Sequence, residues 1–269
     1  MNNLLSFWLA PVTALFSPRV YRDAVKSSGG RGILYVLYLS LITVVVVMMF
    51  LVGKVVPVTD DLVSWTRKNM SVMIWTPEGI SLEDGKMTAT LEHPQYGLIA
   101  KVDLSKTNVT EADMGNGFFF VTAKRIFVKR GPGQIESHDI TKTGIRTSEQ
   151  LPPRIRITGD IVWQLYQNLK NTLAVIFPAV LFVIFSLMLL LGNAFYSLAG
   201  LFLNRRRKQK LEYGAIFTLT CFATTASFTL TWLRIMTPLQ ALPWSFVVDI
   251  LINLAYLFFA FKMTDQAME

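Results

Sequence analysis

The sequence predicts an α-helical integral membrane protein with four transmembrane helices and a β-rich (α+β) extracytoplasmic domain inserted between helices 1 and 2. Three observations carry this expectation. Apolar residues make up 52% of the 269 and gather in long blocks, unlike those of a single soluble core. From Leu173 to Gly192 there is no charge, over the roughly 20 residues that a helix needs to cross a bilayer. A basic block, Arg205, Arg206, Arg207, Lys208 and Lys210, follows at once, and such a block beside a span marks the cytoplasmic side.

The N-terminal region, 1–31, reads as cytoplasmic. Residues 4–16 are apolar but short and carry Pro11. No basic leader precedes them, so they do not read as a signal peptide. They fit a helix lying at the membrane surface, with Phe7, Trp8 and Phe16 toward the acyl chains, or equally a helix packed on the bundle. Ser17-Pro18 looks like an N-cap followed by proline at the first helical position, opening a short basic helix to about Lys26. Ser27-Ser28-Gly29-Gly30 ends it.

Span 1 covers 32–53. Val44–Val47 would suit a strand, but the apolar run is too long for one. Arg19, Arg22, Lys26 and Arg31 precede it against one acid, Asp23, so the N-terminus is expected in the cytoplasm, and with four spans both termini lie on that side.

Residues 57–168 are polar and rich in turn signals, as a domain in a solvent compartment would be. A helix over Asp60–Asn69 leads into strand-like runs at Ser71–Trp75, Met87–Leu91, Leu98–Asp103, Gly117–Thr122 and Arg125–Lys129. Glu83-Asp84-Gly85, Pro94-Gln95-Tyr96-Gly97 and Gly115-Asn116-Gly117 separate them. Gly131-Pro132-Gly133 between Ile126–Arg130 and Gln134–His138 reads as a hairpin. Phe118 and Phe120 are expected on one strand face and Phe119 on the other. Asp160 is placed to cap a helix, Ile161–Asn171.

Span 2 covers 171–203 and is longer than a bilayer requires. Pro178 or Gly192-Asn193 offers a place to break it, and tilting is the alternative. The basic loop is 204–212. Span 3, 213–236, carries Thr218, Thr220, Thr224, Thr225, Ser227, Thr229 and Thr231. An outer loop, 237–243, precedes span 4, 244–262, with Trp244 at its outer interface and Lys262 at its inner one. The tail is 263–269.

Short motifs run through this layout. Phe16-Ser17-Pro18-Arg19-Val20-Tyr21-Arg22, then Ile33-Leu34-Tyr35-Val36-Leu37, resemble the start of a bacterial family of uncharacterised membrane proteins, domain of unknown function 1189. Ile80-Ser81-Leu82-Glu83-Asp84-Gly85-Lys86-Met87, His93-Pro94, Ile99-Ala100-Lys101-Val102-Asp103 and Phe120-Val121-Thr122-Ala123-Lys124-Arg125 extend the resemblance over most of the chain. One branch of that family is labelled a maltodextrin-utilisation protein. The chain departs from the family at Val102-Asp103-Leu104-Ser105, where an Ile-Asp-Thr unit is usual. A more distant likeness, at fold level, is to the Yip1-type group. The resemblance implies a bacterial cytoplasmic-membrane protein with a domain outside the cytoplasm, and brings no catalytic residue with it.

The sequence holds no phosphate-binding glycine loop, His-Glu-x-x-His helix, Cys-x-x-Cys pair or Gly-x-Ser-x-Gly elbow. No enzyme activity, metal or cofactor is expected. His93 and His138 lie far apart and read as structural. Asp60-Asp61 and Glu83-Asp84 read as a helix start and a turn, and Lys124-Arg125 with Lys129-Arg130 as a solvated face. Cys221, the one cysteine, has no intrachain disulfide partner.

The candidate site is therefore an intramembrane polar network of Arg234, Asp249 and Asn253, because ionisable groups inside a bilayer are costly and need a partner or water. Arg234 and Asp249 are expected to pair across the antiparallel spans 3 and 4, with Asn253, four residues on, sharing the network. The alternative is that Arg234 snorkels alone and Asp249 faces a wet crevice. Arg19, Arg22, Lys26, Arg31, Arg205, Arg206, Arg207, Lys208 and Lys210 form the topology set, directed at anionic lipid headgroups. The net charge of +8 lies largely in these clusters, and nucleic acid is not an expected partner. Two functions fit. One is a non-catalytic membrane adaptor that partners another membrane or envelope protein through its extracytoplasmic domain. The other is a subunit of a transporter or channel with a polar path near spans 3 and 4, which would need oligomerisation; a homo-oligomer is compatible with either.

Overall fold

A computed structural model describes residues 8–26, 29–131, 133–140, 154–207, 209–237 and 245–265. Sequence readings at residues 4–7, at Ser27-Ser28, Pro132 and Lys208, in the loop 238–243, at Trp244 and in the tail from 266 lie outside them. The chain forms two compact units, 1–54 with 174–269, and 55–173. Among the described residues four helical runs are long and apolar enough to cross a membrane: Gly29–Asn69, Gly159–Asn204, Tyr213–Met236 and Val247–Thr264. The β-structure lies between the first and second of these.

In the helical unit, α1 (Ala10–Phe16) carries Pro11 in its first turn, where the amide would have no helical acceptor. Its Ala10 and Ala14 are buried, while Val12 and Phe16 are exposed, as are Trp8 and Leu9 just before it. One face thus packs on the bundle and the other is open and apolar. Helix α2 (Pro18–Val25) buries Tyr21 and Ala24, and the Tyr21 hydroxyl donates to the Ala14 carbonyl at 2.7 Å. Ser17 holds the N-cap position through its backbone, but its side chain makes no cap bond.

Helix α3 (Gly29–Phe50) buries Gly32, Tyr35, Val36, Leu39, Ser40 and Thr43, the i, i+3, i+4, i+7 pattern of one helical face. Leu41, Val45 and Met49, on other faces, stay exposed. The β-branched run Val44–Val47 is helical, because a span in lipid must satisfy its backbone internally. A π-helical turn, Leu51–Val55, links α3 to α4 (Val56–Asn69). Pro57 has no N–H to offer the Gly53 carbonyl, and the wider turn falls where that bond is missing. The predicted helix Asp60–Asn69 is thus the end of one 41-residue run.

Helix α6 (Gly159–Asn204) is one helix of 46 residues and continues through Pro178. At about 1.5 Å per residue it is about 69 Å long. The separate helix Ile161–Asn171 is part of it. The hydroxyl capping its start belongs to Thr158, which accepts from the Ile161 amide at 3.4 Å. Asp160 instead pairs with Arg67 at 2.6 Å. The third span divides at Thr224 into α7 (Tyr213–Ala223) and α8 (Thr225–Met236), and α9 (Ser245–Asp265) follows. The core of this unit gathers Tyr35, Leu39, Ile216, Leu219, Phe222 and Leu257, with Tyr35 stacked on Phe222 at 4.1 Å between centroids.

The described residues of the second unit form two sheets. Strands β1 (Met73–Thr76), β2 (Gly79–Leu82) and β8 (Ile155–Ile157) form one in the order β2-β1-β8, all antiparallel. Strands β3 (Thr88–His93), β4 (Gly97–Asp103), β5 (Phe119–Val121), β6 (Arg125–Gly131) and β7 (Gln134–Asp139) form the other in that order. Here β4 and β5 are parallel, with Ala100 opposite Phe119. A parallel pair needs a crossover, and the short helix α5 (Glu111–Met114) lies in it. Strands β2 and β8 were not predicted. Gly79 marks the first: its φ is +145°, and a Cβ there would stand 2.3 Å from the Ala123 carbonyl oxygen, which accepts the Ile80 amide.

Strand alternation sorts the core. Val102 and Val121 join Ile80, Leu82 and Ile140 in one cluster, while Phe120 and Phe127 pack on Met114 in another. Phe120 is fully buried; Phe118 and Phe119 are 55% and 43% exposed. Phe118 falls outside the strand, so only Phe120 of the three is fully packed. Within this unit α4 is held to the first turns of α6. Lys170 pairs with Asp60 at 2.7 Å, Tyr166 donates to the same carboxylate at 2.7 Å, and the backbones of Arg67 and Gly159 touch.

Candidate functional site

The polar residues of the helical unit form rungs between its helices. At the break in the third span, Thr224 donates to Asn193 Oδ1 on α6 at 3.2 Å, and Asn193 donates to the Leu189 carbonyl at 2.9 Å. Thr225 meets the Tyr35 hydroxyl at 2.7 Å. Trp232 Nε1 donates to Thr43 Oγ1 at 3.0 Å. Ser227 donates to Asn253 Oδ1 on α9 at 2.7 Å. Asn193, Thr224, Thr225, Ser227, Thr43 and Asn253 are all buried, and a buried polar group without a partner is costly.

Arg234 and Asp249 make the charged rung. Nη1 of Arg234 donates to both carboxylate oxygens of Asp249, each at 2.9 Å. The side chains are 12% and 27% exposed. Arg234 Nε is buried with no hydrogen-bond partner among the described residues. Asn253 does not join this pair. It lies four residues deeper on α9, about 6 Å along the axis, where its partner on the antiparallel α8 is Ser227.

The hydroxyls of the third span bond back onto their own helix. Thr218, Thr220, Thr229 and Thr231 each donate to the carbonyl four residues back, at 2.8–3.0 Å. Ser227 and Thr224 also bond the carbonyl three residues back. Such back-bonding uses the hydroxyl donor within its own helix. Ser186 Oγ on α6 is the buried hydroxyl with no partner among the described residues.

The basic residues gather at one end of this unit. Arg19, Arg22, Lys26, Arg205, Arg206 and Lys210 are exposed and Arg31 is half-buried. Lys26 and Lys210 line one cavity of about 460 Å³, with Gly29 and Gly214 in backbone contact beside it. Arg207 lies over the Phe261 ring at 5.5 Å. Asn204 clamps the loop by exchanging two hydrogen bonds with the Leu211 backbone, each 2.9 Å.

The other chemistry-bearing residues have structural partners. His93 is buried against Trp65 and Tyr96, and its Nδ1 accepts the Gln95 and Tyr96 amides. His138 stands 3.4 Å from Glu136. Glu83 pairs with Arg156, Asp84 with Lys86, Lys129 with Glu111 and Arg130 with Glu136. The Lys106 ammonium and the Thr110 amide and hydroxyl hold the Asp113 carboxyl well below the usual range. The Gly133 amide and Lys129 lower the pKa of Glu111. Cys221 is buried and free. Among the described residues no group of His, Cys, Asp and Glu could hold a metal ion.

Sequence reasoning missed Asn193 and the Thr224 break. Asn193 read as a weak point in a helix, whereas an amide inside an apolar span is a donor in need of an acceptor. Comparison with family models finds a match over residues 11–261, to the family described as "Protein of unknown function (DUF1189)". Neither the curated proteins nor the solved structures yield a match.

Proposed function

The chain belongs to the DUF1189 family, and we propose that it is a non-catalytic membrane adaptor, joined to another envelope or transport protein through its β-rich domain. In this reading it sits in a bacterial cytoplasmic membrane with both termini inside and the β-rich domain outside. The two basic clusters at one end of the helical unit support that orientation, since basic residues beside spans stay cytoplasmic.

The observation that carries the adaptor reading is an apolar stripe on the first turns of α6. Ile161, Leu165 and Leu169 follow at i, i+4 spacing and are 37–64% exposed. Residues so spaced share a helix face. The pairs Arg67–Asp160 and Asp60–Lys170 interleave with the stripe, so it lies in the polar part of the chain rather than in the uncharged span. An exposed apolar stripe in polar surroundings marks an interaction surface, and a helix face with regular anchors fits a groove on a partner.

Crosslinking in cells, followed by affinity purification in mild detergent, tests this. A partner membrane protein should be recovered in near-equal amount and lost when Leu165 and Leu169 are changed to Ser. Recovery of the lone protein, or a partner indifferent to those changes, rejects the reading. The transporter-subunit alternative rests on the hydroxyls of the third span and on Asp249; the back-bonding of the hydroxyls and the pairing of Asp249 with Arg234 leave it less support.

A further inference from the structure

The β-rich unit contains a cavity of about 400 Å³ walled by α4, α6 and the second sheet, with Leu62, Val63, Val162, Ala100, Phe119 and Val121 among its lining. We propose that this cavity holds the hydrocarbon chain of a membrane lipid. Close-packed interiors leave few voids larger than a water molecule. This one is more than twice the roughly 150 Å³ that admits a benzene-sized guest, and within the roughly 300–1,000 Å³ of small-molecule sites.

Its chemistry favours an apolar occupant. Of its four polar residues among seventeen, Thr66 gives its hydroxyl proton to the Leu62 carbonyl at 2.8 Å and Asn69 gives an amide proton to the Trp65 carbonyl at 2.8 Å, which leaves the side chains of Ser71 and Thr90. A buried water needs two to four polar partners, and a sugar needs more. The other thirteen lining residues are apolar, with Leu62, Val63 and Val162 only half-buried and Phe119 43% exposed. Covering it releases free energy in proportion to its area.

The source follows from chain continuity. Leu62 and Val63 belong to the helical run Gly29–Asn69, which contains the first span, and Val162 to Gly159–Asn204, which contains the second. Both helical walls of the cavity therefore continue into segments that lie among lipid chains. A bilayer lipid is the apolar ligand always present beside those helices. The lining offers no charge for a headgroup, so the site takes the chain and leaves the headgroup outside. This site is separate from the exposed stripe on α6 and does not depend on the adaptor reading.

The test uses the full-length protein in nanodiscs containing phosphatidylglycerol with a diazirine at the end of one acyl chain. After irradiation, labelled peptides are identified by mass spectrometry. Label is expected on peptides covering 62–73 and 89–102 as well as on the spans. Ala100→Phe, which fills the cavity from its sheet wall, should lower the label on 62–73 and 89–102 at least fivefold and leave the label on 174–204 unchanged. Ala89→Ile serves the same purpose if Ala100→Phe does not fold. Label confined to the spans overturns the proposal, as does label on 62–73 undiminished in a folded cavity-filling variant.

Discussion

Arg234 and Asp249 are joined through a single nitrogen: Nη1 stands 2.9 Å from each carboxylate oxygen, while Nε of the same guanidinium is buried without a partner among the described residues. The pair closes the antiparallel contact between α8 and α9, and Ser227–Asn253 forms the next rung inward. Breaking one side leaves the other charge in low dielectric. Asp249→Asn and Arg234→Gln should each cost about 1–3 kcal/mol, less than the roughly 3–5 kcal/mol of a fully buried pair, because Asp249 is partly open. Thermal melting in detergent should show the double change to be milder than the sum of the singles; strict additivity would mean that the two groups do not interact.

The three consecutive phenylalanines are predicted to differ sharply. Phe120→Ala should destabilise the β-rich unit by about 3–5 kcal/mol, as for other buried phenylalanines. Phe119→Ser, at a side chain 43% exposed, should cost about 1 kcal/mol or less. Urea melts of residues 55–173 would compare them, and equal costs would contradict the packing described.

Gly159 admits no side chain. A Cβ there would sit 2.3 Å from the Arg67 carbonyl oxygen, a backbone atom that cannot swing away. Gly159→Ala should cost about 1–3 kcal/mol or more by forcing α6 from α4. Leu165→Ala, at an exposed position of the same helix, serves as the control. A melting temperature unchanged by Gly159→Ala would refute the close approach.

Acid should weaken the β-rich unit through Asp113 and Glu111. Lys106 and Thr110 depress the folded-state pKa of the first, and the Gly133 amide with Lys129 that of the second. A depressed carboxylate pKa contributes stability that is present above the unfolded value, about 3.9 for Asp and about 4.3 for Glu. That stability is lost as pH falls through the folded value, because the unfolded chain takes up the proton first. Stability should therefore fall below about pH 4, and Asp113→Asn should flatten the slope there. A variant with an unchanged pH profile would remove Asp113 from the account.

Orientation is tested by fusing a reporter that is active only outside the cytoplasm. Fusions at Thr107 should be active and those at Lys210 inactive. Replacing Arg205, Arg206 and Arg207 with Gln should mix the two orientations. Activity at Lys210 in the unaltered protein would invert the proposed topology.

The spans were legible because length and uncharged composition are properties of one segment at a time. The same is true of the β6–β7 hairpin, whose Gly131 and Gly133 flank the turn. What stayed hidden depends on meetings between distant residues. Ile155–Ile157 is too short to read as a strand and becomes one only against Met73–Trp75. Thr224, where α7 gives way to α8, meets Asn193 on a different helix. Asp60 looked like a helix start, but the helix passes through it and its carboxylate serves Lys170 and Tyr166. Within the candidate site the sequence pointed to Arg234 with Asp249. It paired Asn253 wrongly, since sharing a face with Asp249 says nothing of which rung faces it on α8.

Strand β8 also sets an order of assembly. Strand β1 has β2 on one side and β8 on the other, and the chain leaves the ribosome from its N-terminus. The hairpin β1–β2 can therefore form early, but the far edge of β1 stays unpaired until residues 155–157 have been made. An exposed strand edge invites foreign pairing. The residues that cover it come immediately before α6, so the sheet can close only as the second span begins to emerge. Closure of the β-rich domain is thereby timed to synthesis of the helix that follows it, and a chain ending before Arg154 would keep that edge open.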